Sequence, residues 1–285
     1  MKKIEDIQRI AVVGAGVMGA GIALAAAVKG YQVVLFDIKP DVLEKARAYF
    51  DKFLSSSVKR GKITAEQKPE IIAAIHCTED LAAVKADIVI EAILENLVLK
   101  QKVLRNIEAQ NSGDTIIASN TSTIPITQIA AGLDRPEMVV GMHFFNPAPI
   151  MKLVEVISGV ATAPEVGDVT FALAEKLGKK PVRVKDEPGF IVNRVARHFY
   201  VESLKVLEEG VADHVVIDRL MESSGFRMGP FRLMDLIGIE TNHEVTKSLY
   251  NSFFQDEKFR PSRVQQKKVD AGHFGRKTGQ GFYQY

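Results

Sequence analysis

RIAVVGAGVMGAGIALAAAVKGYQVVLFD, residues 9–37, reads as a complete βαβ unit with chemistry at each corner. Residues 10–13 are a short apolar run of strand type. Gly14, Gly16 and Gly19 then fill a G-x-G-x-x-G pattern, and the Ala- and Leu-rich residues 17–28 continue as a helix until Lys29-Gly30 ends it. A second strand over 32–36 closes on Asp37. The three glycines serve different ends. Gly14 allows the tight turn, Gly16 lets the backbone approach a pyrophosphate, and Gly19 lets helix and strand pack closely. The helix N-terminus offers free N–H groups to phosphate. Gly14, Gly16, Val17, Met18 and Gly19 are therefore candidate contacts to a dinucleotide. Asp37, about 20 residues beyond the loop, is placed to accept hydrogen bonds from an adenosine ribose. Its charge repels a 2′-phosphate, so NAD is expected rather than NADP.

Outward from this unit, 285 residues with 46% hydrophobic content allow two domains and a sizeable core. A net charge of +2 gives no reason to expect nucleic acid or an anionic membrane as partner. The lone cysteine, Cys77, cannot make an internal disulfide and suits a reducing compartment. It reads as a small buried strand residue, with a reactive thiol as the alternative. No signal-peptide pattern precedes the first strand, and no apolar run approaches the roughly 20 residues of a membrane span. A cytoplasmic protein is the expectation.

Beyond Asp37 the pattern predicts helices over 41–59 and 64–74 and strands over 75–78 and 87–91. A helix over 96–109, strands over 115–119, 139–145 and 153–157, a helix over 165–177 and a strand over 182–184 follow. This alternation predicts an α/β domain: a Rossmann-type doubly wound, mainly parallel sheet, with its binding crevice at the carboxyl ends of the strands. The charged turn-former KDEPG, residues 185–189, marks a boundary. Residues 1–186 form the dinucleotide-binding domain with a helical insertion, and 187–285 a smaller all-helical domain with helices over 190–209, 213–223, 231–251 and 262–271.

Four positions outside the loop carry candidate chemistry, and a fifth suits the cofactor. His143, in GMHFFNP, lies near the end of one predicted strand, and Glu155, in KLVEVIS, lies on the next. If these strands are neighbours, the carboxylate fixes the imidazole tautomer and raises the basicity of the other nitrogen. The alternative is a structural histidine beside a glutamate satisfied by backbone groups. Ser122, in ASNTSTIP, offers a hydroxyl at the same edge or else a turn or helix cap. Asn193, in PGFIVNRV, opens the first helix of the second domain and faces a cleft or merely caps. Glu95, in EAILENL, suits cofactor contact and helix capping equally. No Cys/His cluster or carboxylate set has metal-ligand spacing, so no metal is expected.

Taken together, VVGAGVMGAGIA, EAILEN, ASNTSTI, GMHFFNPAPIMKLVEVI, PGFIVNRV, MGPF and GRKTGQGFYQY resemble the L-3-hydroxyacyl-CoA dehydrogenases, most nearly the bacterial 3-hydroxybutyryl-CoA type. The resemblance runs in unbroken order over nearly the whole chain. It implies that His143 is the base acting on the substrate 3-hydroxyl, that Glu155 orients it, and that Ser122 and Asn193 contact substrate oxygens. It also implies Glu95, Lys100, Asn120, Ser122 and Asn146 as cofactor-side residues. Lys52, Lys59, Arg60 and Lys62, in the helical insertion, would face CoA phosphates or simply form a solvated basic surface. A homodimer through the helical domain and an acyl-CoA substrate are further implications. Arg197, His198 and Arg227 raise a sibling expectation, a dicarboxylyl thioester such as 3-hydroxyadipyl-CoA, since an arginine suits a distal carboxylate. The same arginines also suit interdomain or dimer salt bridges. A non-catalytic NAD-binding protein is the alternative from another class.

Overall fold

The computed structural model describes residues 2–285, and the chain divides into two compact units, residues 1–187 and 188–285. Among the described residues of the first, strands β1 (Arg9–Val13), β2 (Gln32–Phe36), β3 (Ile75–Thr78), β4 (Ile88–Glu91), β5 (Ile116–Ser119), β6 (Val139–Phe144), β7 (Leu153–Ser158) and β8 (Lys180–Lys185) form one sheet. Their order is β3-β2-β1-β4-β5-β6-β7-β8. The strands from β3 to β6 are mutually parallel in the 3-2-1-4-5-6 order of a doubly wound dinucleotide fold, and the order reverses between β1 and β4. Helices α1 (Val17–Ala27), α2 (Pro40–Lys59), α3 (Gln67–Ala73), α4 (Leu97–Gln110), α5 (Ile126–Ala130) and α6 (Pro164–Lys176) complete the unit.

Burial explains these elements. The inner strands are enclosed on both faces, so β1, β4 and β5 carry continuous Val/Ile/Ala runs over 10–13, 88–90 and 116–118 with no polar alternation. Helix α1 is buried from Gly19 to Ala27 because small side chains let it lie close to its neighbours. Helix α2 is amphipathic: Leu43, Ala46, Phe50 and Leu54 recur at three- and four-residue spacing on its buried face, and Pro40 sits in its first turn, where its missing N–H costs nothing.

Two expectations change in detail. Strand β7 runs antiparallel to β6, so β7 and its parallel neighbour β8 form a reversed edge on the otherwise parallel sheet. Cys77 lies on β3 as expected but is half-buried, and burial pushes its thiol up against the lowering effect of Arg47.

The second unit is helical: α7 (Val192–Glu208), α8 (His214–Ser223), α9 (Pro230–Ile237), α10 (Ile239–Ser252) and α11 (Arg263–Asp270). The single helix expected over 231–251 is two, because Gly238 takes φ +105° and breaks the ladder between α9 and α10. Tyr200, Leu204, Ile217, Phe231, Met234 and Ile239 form its core, and full burial of Phe231 contributes about 1.5–3 kcal/mol. Two buried aspartates organise the rest. Asp218 accepts from the Phe231 and Arg232 amides at the start of α9 and from the Tyr283 hydroxyl. Asp235 accepts from the Phe282 and Tyr283 amides and the Tyr285 hydroxyl, which folds the ending GRKTGQGFYQY back onto α9.

Candidate active site

The glycine loop lies where β1 ends, beside the end of β4. Gly14 has φ +98°, and a Cβ there would stand 2.7 Å from the Ala92 carbonyl oxygen, so the position demands glycine twice over. At Gly19 a Cβ would stand 1.7 Å from the Gly14 carbonyl oxygen, which holds α1 tight against its own turn. At Gly16, the N-cap of α1, a Cβ would meet nothing within 4 Å. Nothing in the protein itself therefore forbids a side chain at Gly16, and the open space lies in front of the helix N-terminus, which suits a pyrophosphate. Val17 is 73% exposed at the same mouth, and Met18 is half-buried against the core. Asp37 closes β2 and accepts from the Ala15 amide at 2.8 Å and the Lys39 amide at 3.0 Å. Its carboxylate is thereby fixed against the loop, and its remaining lone pairs suit a ribose diol. Residues and geometry fit NAD.

The second half of the site stands at the same edge of the sheet, with β4 and β5 between it and β1. In the antiparallel pair of β6 and β7, His143 and Glu155 are direct register partners. His143 Nδ1 is 2.7 Å from Glu155 Oε2, with Glu155 fully buried and His143 4% exposed. On the other side of the ring, Nε2 is 3.0 Å from Ser122 Oγ. A carboxylate only accepts, so Nδ1 carries the proton and Nε2 holds a lone pair. The imidazole is therefore a base pointed at the Ser122 hydroxyl, and Glu155 is its charged partner rather than a carboxylate answered by backbone alone.

The loop that carries Ser122 is fastened by Glu95. Its Oε1 accepts from Thr121 Oγ1 at 2.6 Å, Ser122 N at 2.9 Å and Thr123 N at 3.0 Å. Burial raises the Glu95 carboxyl, but the Lys100 charge and the bonds from Thr121 and Ser122 outweigh it and hold the group below its usual range. Helix capping falls instead to Asn96, whose side chain accepts from the Leu99 amide, and the turn after β5 is made by Thr121, whose hydroxyl accepts from Ile124 N. Lys100 is 1% exposed and lies 2.6 Å from Glu91 and 3.2 Å from Glu95. Asn120 ties β5 to β6 by accepting from the Phe144 amide at 2.8 Å. Asn146 is exposed, just past β6.

The remaining expected residues belong to the helical insertion of the first unit and to the second unit. Lys52, Lys59, Arg60 and Lys62 are all exposed, the first two on α2 and the other two in the turn that follows it, and Arg60 Nε donates to the Ser56 carbonyl. Asn193 is the second residue of α7 in the second unit. Arg197 is enclosed within that unit, donating to the Asn242 carbonyl and Thr246 Oγ1, and His198 stacks on Phe259. Arg227 is exposed. Among the described residues no cluster of three or more His, Cys, Asp or Glu side chains has the arrangement to hold a metal ion. Glu91, Ser119 and Thr121 are members of the site that sequence reasoning passed over. For Glu91 the signal was a carboxylate closing the apolar run DIVIE, since a buried strand rarely ends in a charge.

The chain resembles known proteins over nearly its whole length. Residues 9–187 match the family model described as the NAD binding domain of 3-hydroxyacyl-CoA dehydrogenase, and residues 189–285 match that of its C-terminal domain. The chain is 47% identical over 282 residues to the 3-hydroxyadipyl-CoA dehydrogenase of Escherichia coli K12; the match covers 98% of this chain but 59% of that longer protein. It is 43% identical to a Bacillus subtilis protein named "Probable 3-hydroxybutyryl-CoA dehydrogenase", with 98% of each chain covered. The crystal structure of (S)-3-hydroxybutyryl-CoA dehydrogenase from Ralstonia eutropha superposes with a TM-score of 0.93 at 42% identity, covering 98% of this chain and 99% of that one.

Proposed function

The chain belongs to the 3-hydroxyacyl-CoA dehydrogenase family, and from that premise we propose that it interconverts short-chain L-3-hydroxyacyl-CoA and 3-oxoacyl-CoA with NAD. The observation that carries the reading is the relay of Ser122, His143 and Glu155 at the sheet edge that also bears the glycine loop. Gly14, Gly16, Val17, Met18, Gly19 and the α1 N-terminus would hold the pyrophosphate, and Asp37 the ribose. When bound, the nicotinamide supplies hydride acceptance or donation at the substrate carbon.

The chain's own part is the proton. His143 Nε2 takes the proton of the 3-hydroxyl during oxidation, and the imidazolium returns it to the carbonyl oxygen during reduction. Glu155 stabilises the imidazolium and keeps the ring from flipping. Burial of the pair excludes water, so the carboxylate acts at close to full strength. Ser122 marks where an oxygen reaches Nε2 and is assigned to the same substrate oxygen. Asn193 is assigned to the reacting end of the acyl group on the PGFIVNRV motif alone. Lys52, Lys59, Arg60 and Lys62 are assigned to CoA phosphates, supported by their exposure.

A second reading, 3-hydroxyadipyl-CoA as substrate, is favoured by the 47% identity to the E. coli protein of that name. Enclosure of Arg197 takes away one of its supports and leaves Arg227 as the exposed guanidinium for a distal carboxylate. Dimerisation through the second unit is supported by Val216, Leu220, Phe226, Leu236 and Ile237, all more than 40% exposed, and sedimentation velocity tests it. A cytoplasmic location is supported by the lack, among the described residues, of any helix long and apolar enough to cross a membrane. The deciding experiment follows NADH absorbance with acetoacetyl-CoA, then with a panel varying chain length and a terminal carboxylate. Turnover falling with chain length sustains the short-chain reading, and preference for the carboxylate transfers it to the adipyl ester. NADH binding with no turnover across the panel leaves the non-catalytic alternative.

A further inference from the structure

Glu91, the last residue of β4, is fully buried and takes no part in the proton relay. Its Oε1 accepts from Lys100 Nζ at 2.6 Å and from the Ile93 amide at 2.7 Å, and its Oε2 accepts from Ser119 Oγ at 2.7 Å. Lys100, itself 1% exposed, reaches on to Glu95 Oε2 at 3.2 Å, and the other oxygen of Glu95 holds the amides of Ser122 and Thr123. Ser122 meets His143, and His143 meets Glu155. One unbroken line of charged and hydrogen-bonded groups therefore runs from the end of β4 to the base. A buried ion pair adds little net stability over a well-packed apolar replacement. What this one adds is orientation, since Lys100 sits between two carboxylates and cannot approach either without leaving the other.

Resting on the dehydrogenase reading above, we infer that Glu91 is a positioning residue for the reaction. Acting through Lys100 and Glu95, it sets where the 121–123 backbone presents Ser122 to His143 Nε2. Its bond to the Ile93 amide extends the same control to the cofactor side, because the Ile93 side chain would lie 3.1 Å from a Cβ on Gly14. The carboxylate at the reversal of strand order thus fixes both halves of the site at once. Without its charge, Lys100 loses its nearer partner and draws Glu95 inward, and the 121–123 segment follows.

The test compares Glu91→Gln, Lys100→Met and the double variant with wild type. It reads kcat and KM for acetoacetyl-CoA, the thermal midpoint, and the side-chain 15N resonances of His143. Glu91→Gln should lower kcat by about tenfold to a hundredfold, the cost of a small misplacement, while KM changes by less than about threefold. The His143 Nε2 resonance should move even without substrate. In the double variant the thermal midpoint should recover, because the uncompensated ammonium is gone, but kcat should stay low. That double variant also serves if Glu91→Gln alone does not fold. Recovery of kcat along with the midpoint would make Glu91 a stability residue, and an unmoved His143 resonance would sever the line from Glu91 to the base; either overturns the inference. The resonance shift does not depend on turnover, so an inactive wild type would refute the dehydrogenase reading while the coupling of Glu91 to His143 was still decided.

Discussion

Replacing Glu155 by glutamine tests the relay at its most constrained contact. The side chain keeps its length and the register of β6 and β7 is undisturbed, so the change is one charge at 2.7 Å from His143 Nδ1. A hydrogen bond to a charged partner is worth about 1.5–3 kcal/mol. Both groups are nearly inaccessible to water, so little solvent screening weakens that figure. At about 1.36 kcal/mol for each factor of ten, the expected loss of turnover is at least about tenfold and more than a hundredfold at the upper end. It grows towards about 10⁴-fold if the new amide presents its N–H₂ to Nδ1, because that tautomer puts the proton on Nε2 and leaves no lone pair for the substrate hydroxyl. Reduction needs imidazolium and the carboxylate stabilises it, so its loss slows return of the proton to the carbonyl oxygen. The assay is initial-rate oxidation of NADH by acetoacetyl-CoA, with NADH affinity measured by fluorescence. A variant within threefold of wild type would refute the claim that Glu155 acts through His143. Equally damaging would be multiplicative losses when Glu155→Gln is combined with His143→Gln, since groups acting as a unit are strongly non-additive.

Wild-type protein should use NADH well ahead of NADPH, and Asp37→Ser should narrow the gap in kcat/KM ratios; equal use by wild type would remove Asp37 from the ribose. Gly16→Ala should keep the wild-type thermal midpoint but lose NADH affinity, since its Cβ enters open space, whereas Gly14→Ala should lower the midpoint because of its φ of +98° and the Ala92 carbonyl; calorimetry with NADH titration separates them. Glu95 sits below the usual carboxylate range in the folded protein, so its stabilisation is present above the ordinary pKa of about 4.3 and is lost as pH falls through the folded value. The difference in thermal midpoint between wild type and Glu95→Gln should accordingly be present at neutral pH and shrink in acid, and a difference that grows in acid would reverse the assignment.

How much of this is readable from sequence depends on the range of the interaction. The βαβ unit at residues 9–37 is local: turn, helix and strand are specified by neighbours in sequence, and the tight turn read for Gly14 and the close packing read for Gly19 correspond to distances in the structure. The direction of β7 is not carried by apolar periodicity, which finds strands but not their sense. The clue lay in the short connection between β6 and β7, residues 145–152, because a parallel return needs a crossover of about a dozen residues or more. The break at Gly238 was hidden for a related reason. An isolated glycine inside an apolar pattern is usually tolerated in a helix, and only the fold reveals a positive φ.

At the site, His143 and Glu155 were legible because a register pairing turns sequence position into contact: two strands joined by a tight return put specified residues opposite each other. Ser122 and Glu95 were legible as types but not as partners, since their meeting depends on the segment before α4 and the loop after β5 packing side by side, which no spacing encodes. Glu91 was illegible for a deeper reason. Composition rules treat a carboxylate closing a strand as the edge of the core, and they are right wherever water can reach it. Here the strand ends under the loop, inside the molecule, so the same residue that reads as a boundary becomes a buried acceptor for Lys100, Ser119 and Ile93. A carboxylate so placed survives only because donors surround it, and it is that requirement which couples the strand end to the loop that carries Ser122.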